Sequence, residues 1–140
     1  MPQSISTLLI NAPKHKVWEV ITKPELVKQW QYGSTLQTDW EAGSRIKFST
    51  EWQGKHFEQW GVVLEVKPNE LARYSLFAPG PGLEDKPENY FIMSYVLMEK
   101  NGKTMLEIIQ DDNRPHAVEE EAQGEDSPIL QALKRLAESN

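Results

Sequence analysis

The chain has 140 residues, of which 39% are hydrophobic and 26% charged, and its formal net charge is −6 at pH 7. This length is sufficient for one domain with a buried core, and the negative charge disfavours binding to nucleic acid or to anionic membranes. The sequence contains no cysteine, which excludes disulfides, thiolate catalysis and zinc–thiolate sites.

The beginning of the chain predicts a strand followed by two short helices. Residues 4–10 combine β-branched and apolar side chains, as strands do, and Pro13 after them suits the first turn of a helix. Apolar residues at helical spacing continue to residue 21, and Pro24 then ends this helix, because the residue before a proline avoids the α conformation. A second short helix is predicted from Pro24 to Gln29, with Trp30 closing it.

The middle of the chain predicts a run of strands separated by turns. Residues 45–52 alternate apolar and polar side chains, the pattern of a half-buried strand, and Asn101-Gly102 is a strong hairpin signal. Residues 78–89 hold three prolines and two glycines and predict a loop, long enough to serve as a lid over a cavity. Further strands are predicted at residues 35–39, 56–66, 71–77, 91–99 and 104–111.

The end of the chain predicts a helix after a polar stretch. Residues 113–126 are polar and acidic, and both a loop and a partly helical segment remain open for them. Ser127-Pro128 supplies an N-cap residue and a proline for the first helical turn. The residues after Pro128 form an apolar stripe at helical spacing, and we expect this stripe to pack on the concave face of the sheet. This stripe consists of Ile129, Leu130, Leu133, Leu136 and Ala137.

Four stretches of the chain together carry a resemblance to a known family. They are residues 10–30, Gly43 with the strand to Phe48, residues 61–71, and residues 102–108 with the helix ending at 133–138. In these stretches the chain resembles the START-like (SRPBCC) superfamily, whose members have the Bet v-type helix-grip fold, and within it the homologues of the heat-shock protein 90 ATPase activator. The resemblance implies an α+β fold, in which a curved antiparallel sheet of about six or seven strands surrounds a long C-terminal helix and two short helices follow the first strand.

The chain also departs from this family. Many members have a Gly-Trp pair at the start of the last helix, where this chain has Ser127-Pro128. The eukaryotic activator has an additional N-terminal domain that docks on the chaperone, and these 140 residues do not contain it. The resemblance therefore makes a chaperone a possible protein partner without by itself implying activation.

Patterns typical of metal binding or catalysis are weak in this sequence. His15, His56 and His116 stand at no spacing that would join two metal ligands. Asp111 and Asp112 are adjacent in a predicted strand, so their side chains point to opposite faces. We therefore expect no metal, no cofactor and no catalytic residue.

The remaining feature is the concave face of the sheet, which is mostly apolar with a few polar groups, as small-molecule pockets are. The first hypothesis is non-catalytic binding of a hydrophobic or aromatic small molecule in the cavity between this face and the C-terminal helix. The alternatives are an enzyme of the polyketide cyclase or hydrolase kind, using Tyr95, Gln110 or His56, and a chaperone ATPase co-factor acting through protein contacts. It also remains open whether the helix fills the cavity. The predicted ligand-binding residues are Phe48, Trp52, Phe57, Gln59, Met93, Tyr95, Ile108 and Gln110.

Location and assembly are constrained less tightly. No apolar run approaches the roughly 20 residues that a membrane-spanning helix needs, and the N-terminus lacks the pattern of a signal peptide. We therefore expect one START-like domain over residues 1–140, in the cytoplasm and without integral membrane association. The oligomeric state is open.

Overall fold

The computed structural model describes residues 3–30, 34–52, 54–77, 79, 84–112 and 128–139. Seven antiparallel strands form one sheet in the order β1-β7-β6-β5-β4-β3-β2. This arrangement confirms the predicted α+β helix-grip architecture. The strands are β1 (Gln3–Ile10), β2 (Thr35–Gln37), β3 (Arg45–Trp52), β4 (Lys55–Lys67), β5 (Leu71–Leu76), β6 (Phe91–Lys100) and β7 (Lys103–Asp112). The helices are α1 (Lys14–Thr22), α2 (Pro24–Trp30) and α3 (Pro128–Glu138), with a 3-10 turn at Pro87–Asn89.

The junction of α1 and α2 explains the tryptophans near it. The last carbonyls of a helix have no partner within the helix, and the Val20 carbonyl has none four residues on because Pro24 lacks an N–H group. The indole of Trp30 supplies the missing donor, with Nε1 2.8 Å from the Val20 carbonyl oxygen. The indole of Trp40 donates to the Thr22 carbonyl over 2.9 Å. Both indoles therefore fix the end of α1.

Strand β2 is shorter than predicted, ending at Gln37 instead of residue 39. The following residues form a turn stabilised by side chains. The Thr38 hydroxyl accepts a hydrogen bond from the backbone N–H of Trp40, and the Asp39 carboxylate accepts one from Glu41. Trp40 itself has a φ of 58°, outside the range of a strand.

Two glycines are required by the backbone. Gly102, with a φ of 81°, follows Asn101 at 53°. Two successive positive φ values are those of a type I′ turn, and they lie in the hairpin that was predicted between β6 and β7. Gly61 has a different cause, because a Cβ atom there would lie 1.9 Å from the carbonyl oxygen of Ser75. The backbones of β4 and β5 therefore approach too closely at this point for any side chain.

Helix α3 begins at Pro128, as predicted, and buries Leu130, Leu133 and Ala137. It contacts β1 and also α1 and α2, which themselves lie against β6, β7 and β2. The apolar stripe of α3 therefore lies partly on the two small helices, whereas the sequence predicted only the concave face of the sheet as its partner. Residues 113–126 and Ser127 lie outside the described residues.

Candidate ligand-binding site

The sheet has two faces, which the register of its strands separates. Leu8 lies opposite Leu106, and Leu106 lies opposite Leu97 in the next strand, so the three side chains share one face. All three are buried in the hydrophobic core. We call this the inner face and the opposite one the outer face.

The eight residues predicted to bind a ligand all occupy inner-face positions. The register pairs Phe48 with Gln59, Met93 with Gln110, and Tyr95 with Ile108. Phe57 lies opposite Thr50, two residues from Phe48 on the same face of β3. The last of the eight, Trp52, has the same alternation in β3, and its side chain lies outside the described part of the structure. That these residues bind a ligand stays a prediction.

The side chains of the inner face range from buried to exposed. Phe48 and Tyr95 are buried, Met93, Ile108 and Gln110 are half-buried, and the two residues of β4 are exposed, Phe57 by 51%. Helix α3 packs at the β1 edge of the sheet, whereas β3 and β4 lie toward the other edge. Phe57 and Gln59 therefore lie at the rim of the inner face, whereas the alternation in the sequence predicted that they line the cavity.

Four aromatic side chains form a group on this face, the inner cluster, in which Trp40 is half-buried, the other three are buried, and Tyr74 lies at the centre. The ring of Tyr74 is 5.8 Å from that of Phe48, 6.1 Å from that of Trp40 and 6.3 Å from that of Tyr95, centroid to centroid. Such distances are those of interacting aromatic pairs. Tyr74 was not among the predicted site residues, although the alternation of Ala72, Tyr74 and Leu76 in β5 already contained the signal.

The two tyrosines of the inner cluster are stacked and influence each other's ionisation. Burial raises the pKa of Tyr74 well above its ordinary value, and the proximity of Tyr95 and the hydrogen bond to it raise the pKa further. Burial also raises the pKa of Tyr95, while the hydrogen bond with Tyr74 acts in the opposite direction. Both phenols are therefore neutral at pH 7.

The central part of the inner face is uncharged. Along the described strands, charged residues reach inner-face positions only near strand ends, at Lys55, Glu99 and Asp112. The polar groups between them are hydroxyls and amides, and two of them, Ser34 and Thr50, are hydrogen-bonded at 2.8 Å. This face thus offers apolar area with neutral hydrogen-bonding groups.

The outer face has an aromatic group of its own, the outer cluster of Trp60, Phe77 and Tyr90. Phe77 is buried but outside the hydrophobic core, with its ring 5.3 Å from Trp60 and 5.4 Å from Tyr90. The Trp60 indole donates to one carboxylate oxygen of Asp85 over 2.9 Å, and the Tyr90 hydroxyl donates to the other over 2.5 Å. These bonds lower the pKa of Asp85, the Tyr90 bond most.

The outer cluster is bonded to part of the segment that was predicted to form a lid. Asp85 belongs to the proline-rich segment, and its two hydrogen bonds attach the described part of that segment, residues 84–90, to the outer face. Residues 78 and 80–83 lie outside the described residues. Residues 84–90 are therefore held on the outer face, because the Asp85 carboxylate finds both of its donors there.

The histidines are apart from the inner face. His56 Nε2 lies 2.8 Å from the Glu58 carboxylate, which also contacts Lys47 over 2.9 Å, and all three positions belong to the outer face. His15 is exposed in α1, and His116 lies outside the described residues. Within the described ranges, no three His, Asp or Glu side chains group as metal ligands would. Of the three residues that the enzyme hypothesis offered, His56 therefore lies on the opposite face of the sheet from Tyr95 and Gln110.

This architecture, a seven-stranded antiparallel sheet with two short helices after β1 and a C-terminal helix at the inner side, is the helix-grip fold of the START-like superfamily. The family model of the Activator of Hsp90 ATPase homolog 1-like protein matches residues 11–138. The chain belongs to this family. No curated protein matches it, and no helix in the described ranges is long and apolar enough to cross a membrane.

Solved structures agree with this assignment. The chain is 34% identical to ChR145 from Cytophaga hutchinsonii, with 83% of this chain and 80% of that chain covered and a TM-score of 0.70. It also matches the Aha1 dimer from Colwellia psychrerythraea (17% identity, 99% and 97% covered, TM-score 0.69). A third match is Ara h 8.0201 (12% identity, 99% and 98% covered, TM-score 0.71). The last two identities show the shared fold alone.

Proposed function

We propose that this protein binds a hydrophobic or aromatic small molecule, without catalysis, in the cavity between the inner face and the C-terminal helix. The observation that supports this most is the partial exposure of Met93 and Ile108. Both adjoin the buried core and lie on the inner face, where a filled interior would have covered them completely. Apolar side chains left accessible beside a core are typical of a ligand-binding surface.

The composition of the inner face supports the same function. Its centre combines aromatic rings and aliphatic side chains with a few neutral polar groups such as Tyr95 and Gln110. Pockets for small molecules have this make-up, in which apolar area supplies affinity and isolated polar groups fix orientation.

A pair of matched substitutions on one strand tests the proposal. Met93 is on the inner face and Met98 on the outer face of β6, where Met98 is 42% exposed. Calorimetric titration with 2-ethylnaphthalene should give similar affinities for the wild type and M98W, and at least tenfold weaker binding for M93W, because the larger ring occupies the binding volume. Thermal unfolding checks that M93W is folded. Full affinity in a folded M93W, or no binding by the wild type, would contradict the proposal.

A second candidate function, an action on a chaperone ATPase through protein contacts, is supported by the family to which the chain belongs. Val62 and Leu64 expose apolar side chains on β4, and exposed apolar groups can contribute to a protein interface. The ATPase rate of Hsp90 with and without this protein tests it. An unchanged rate at saturating protein removes this candidate, and V62D combined with L64D should abolish any stimulation observed.

A further inference from the structure

The inner face becomes more accessible along β4 toward the beginning of that strand. Val63 is 1% exposed and Gly61 is buried, whereas Gln59 is exposed and Phe57 is 51% exposed. These positions share one face, because side chains in a strand alternate and the register pairs Gly61, Gln59 and Phe57 with inner-face residues of β3. Over about 20 Å of strand, β4 therefore leads from solvent to the hydrophobic core.

The helices pack on other parts of the sheet. Helix α3 contacts β1, while α1 and α2 contact β6, β7 and β2. At the end of the inner face formed by β3 and β4, the half-buried Thr50 lies opposite Phe57, and its hydroxyl is bonded to that of Ser34 over 2.8 Å. Ser34 is buried, so this row of side chains passes from buried to half-buried to exposed. The inner face therefore opens to solvent at Phe57.

The same end of β4 is paired on one side only among the described residues. Residues 55–62 pair with β3, and the link to the β5 side nearest the start of β4 is the pair Trp60–Phe77, with backbone hydrogen bonds of 2.7 and 3.2 Å. The Trp60 indole is also bonded to Asp85, so the base of this hairpin is fixed. A hairpin of two strands is only marginally stable by itself, so the part beyond Trp60 can shift at low energetic cost.

We propose that a ligand enters and leaves the inner face at this end of the sheet, through an entrance lined by Thr50, Phe57 and Gln59. The proposal rests on the binding function proposed above. The two β4 side chains determine how fast a ligand reaches Met93 and Ile108, and they add little to its affinity. This role differs from the one predicted from the sequence, in which Phe57 and Gln59 line the cavity and bind the ligand.

Single cysteine variants test the entrance, because the chain contains no cysteine of its own. Q59C places a thiol on the inner face at the entrance, and H56C places one on the outer face of the same strand, where His56 is exposed. Modification with a maleimide-linked polyethylene glycol then obstructs one face or the other. With 2-ethylnaphthalene as the probe, stopped-flow fluorescence measures the association and dissociation rate constants, and calorimetry measures Kd. Thermal unfolding checks that both modified proteins are folded.

An obstructed entrance has a kinetic signature that a lost contact lacks. Modified Q59C should associate and dissociate about five- to tenfold more slowly than unmodified Q59C, because the obstruction raises the barrier in both directions. Its Kd should change by less than about twofold, because the free and bound states are unaltered. Modified H56C should keep both rates. F57A, which removes the ring at the entrance, should raise both rates about two- to fivefold, and H56A should leave them unchanged.

The outcomes distinguish the entrance from the function on which it rests. Failure of the wild type to bind the probe overturns both. Unchanged rates in modified Q59C, or an equal slowing in modified H56C, overturns the entrance while the binding function stands. A loss of affinity in modified Q59C at an unchanged association rate would make Gln59 a ligand contact, and it overturns the entrance as well.

Discussion

The two aromatic clusters lie on opposite faces of one sheet, and their hydroxyl groups have different surroundings. In the inner cluster, Tyr74 and Tyr95 are stacked, buried and neutral. In the outer cluster, Tyr90 and Trp60 both donate to the carboxylate of Asp85, which is exposed to solvent. One cluster depends on neutral partners and the other on a charged one.

This difference separates two roles for similar residues. A charged acceptor saturates both donors of the outer cluster and attaches the segment at residues 84–90 to the sheet. The inner cluster contains no charged group, and the half-buried side chains Met93 and Ile108 lie on the same face of the sheet. The outer cluster therefore makes a structural contact, whereas the inner cluster belongs to the face on which we propose that a ligand binds.

The largest expected effect comes from Gly61, where both clusters depend on the approach of β4 to β5. G61A would place a Cβ atom against the Ser75 carbonyl, and we expect it to lower the free energy of unfolding by about 3 kcal/mol or more. Chemical denaturation measures this loss of stability. G54A is the control, because that glycine has a φ of 79° but no atom within 4 Å of its Cβ position, and it should cost only about 1–2 kcal/mol. A G61A protein as stable as G54A would contradict the close approach.

Alkaline pH should act on the inner cluster. The folded pKa of Tyr74 is raised above the ordinary value of 10.0, so its contribution to stability is fully present below pH 10 and is lost as the pH rises through the folded pKa. Y74F removes one such group and should lessen the fall in unfolding free energy above pH 10 by up to about 1.4 kcal/mol per pH unit. Denaturant titrations between pH 9 and pH 11 measure this difference between the wild type and Y74F. Equal slopes for both proteins would mean that Tyr74 ionises as freely when folded as when unfolded.

Acid pH should act on the outer cluster, with a smaller effect because Asp85 is exposed. Its folded pKa is depressed by the hydrogen bonds from Tyr90 and Trp60, so its contribution is present above the unfolded pKa of about 3.9 and is lost as the pH falls through the folded pKa. In wild-type protein, the fluorescence of Trp60 should change below pH 4. D85N should show the altered signal already at pH 7 and lack that acid transition, with W60F as the spectral control. An identical acid transition in D85N would assign it to another group.

Local patterns sufficed to predict most of the fold. The alternation in residues 45–52 gave β3 with its observed bounds, and Asn101-Gly102 gave the turn between β6 and β7. Alternation within each strand also placed the eight predicted residues on one face, because side chains in a strand have a period of two whatever the partner strand is. The family resemblance supplied the strand arrangement as a whole.

Contacts between distant segments could not be predicted in this way. Phe57 is at the rim because α3 packs toward the β1 edge, and no pattern within β4 contains that information. Tyr74 acquires its role from Tyr95 and Phe48 on neighbouring strands. The bond between Trp60 and Asp85 joins residues 25 positions apart, across a proline-rich segment whose path is not determined by local preference.

The central claim, that a ligand occupies the inner face, can be tested directly at the methionine methyl groups. Met93 faces inward from β6, whereas Met98 and its pairing partner Met105 face outward, so one labelling experiment contains both the site and its control. Titration of protein labelled with ¹³C at the methionine methyls with 2-acetylnaphthalene should shift the Met93 resonance saturably and leave those of Met98 and Met105 in place. A Met93 resonance that does not move while Met98 or Met105 shifts would place binding on the outer face and contradict the account.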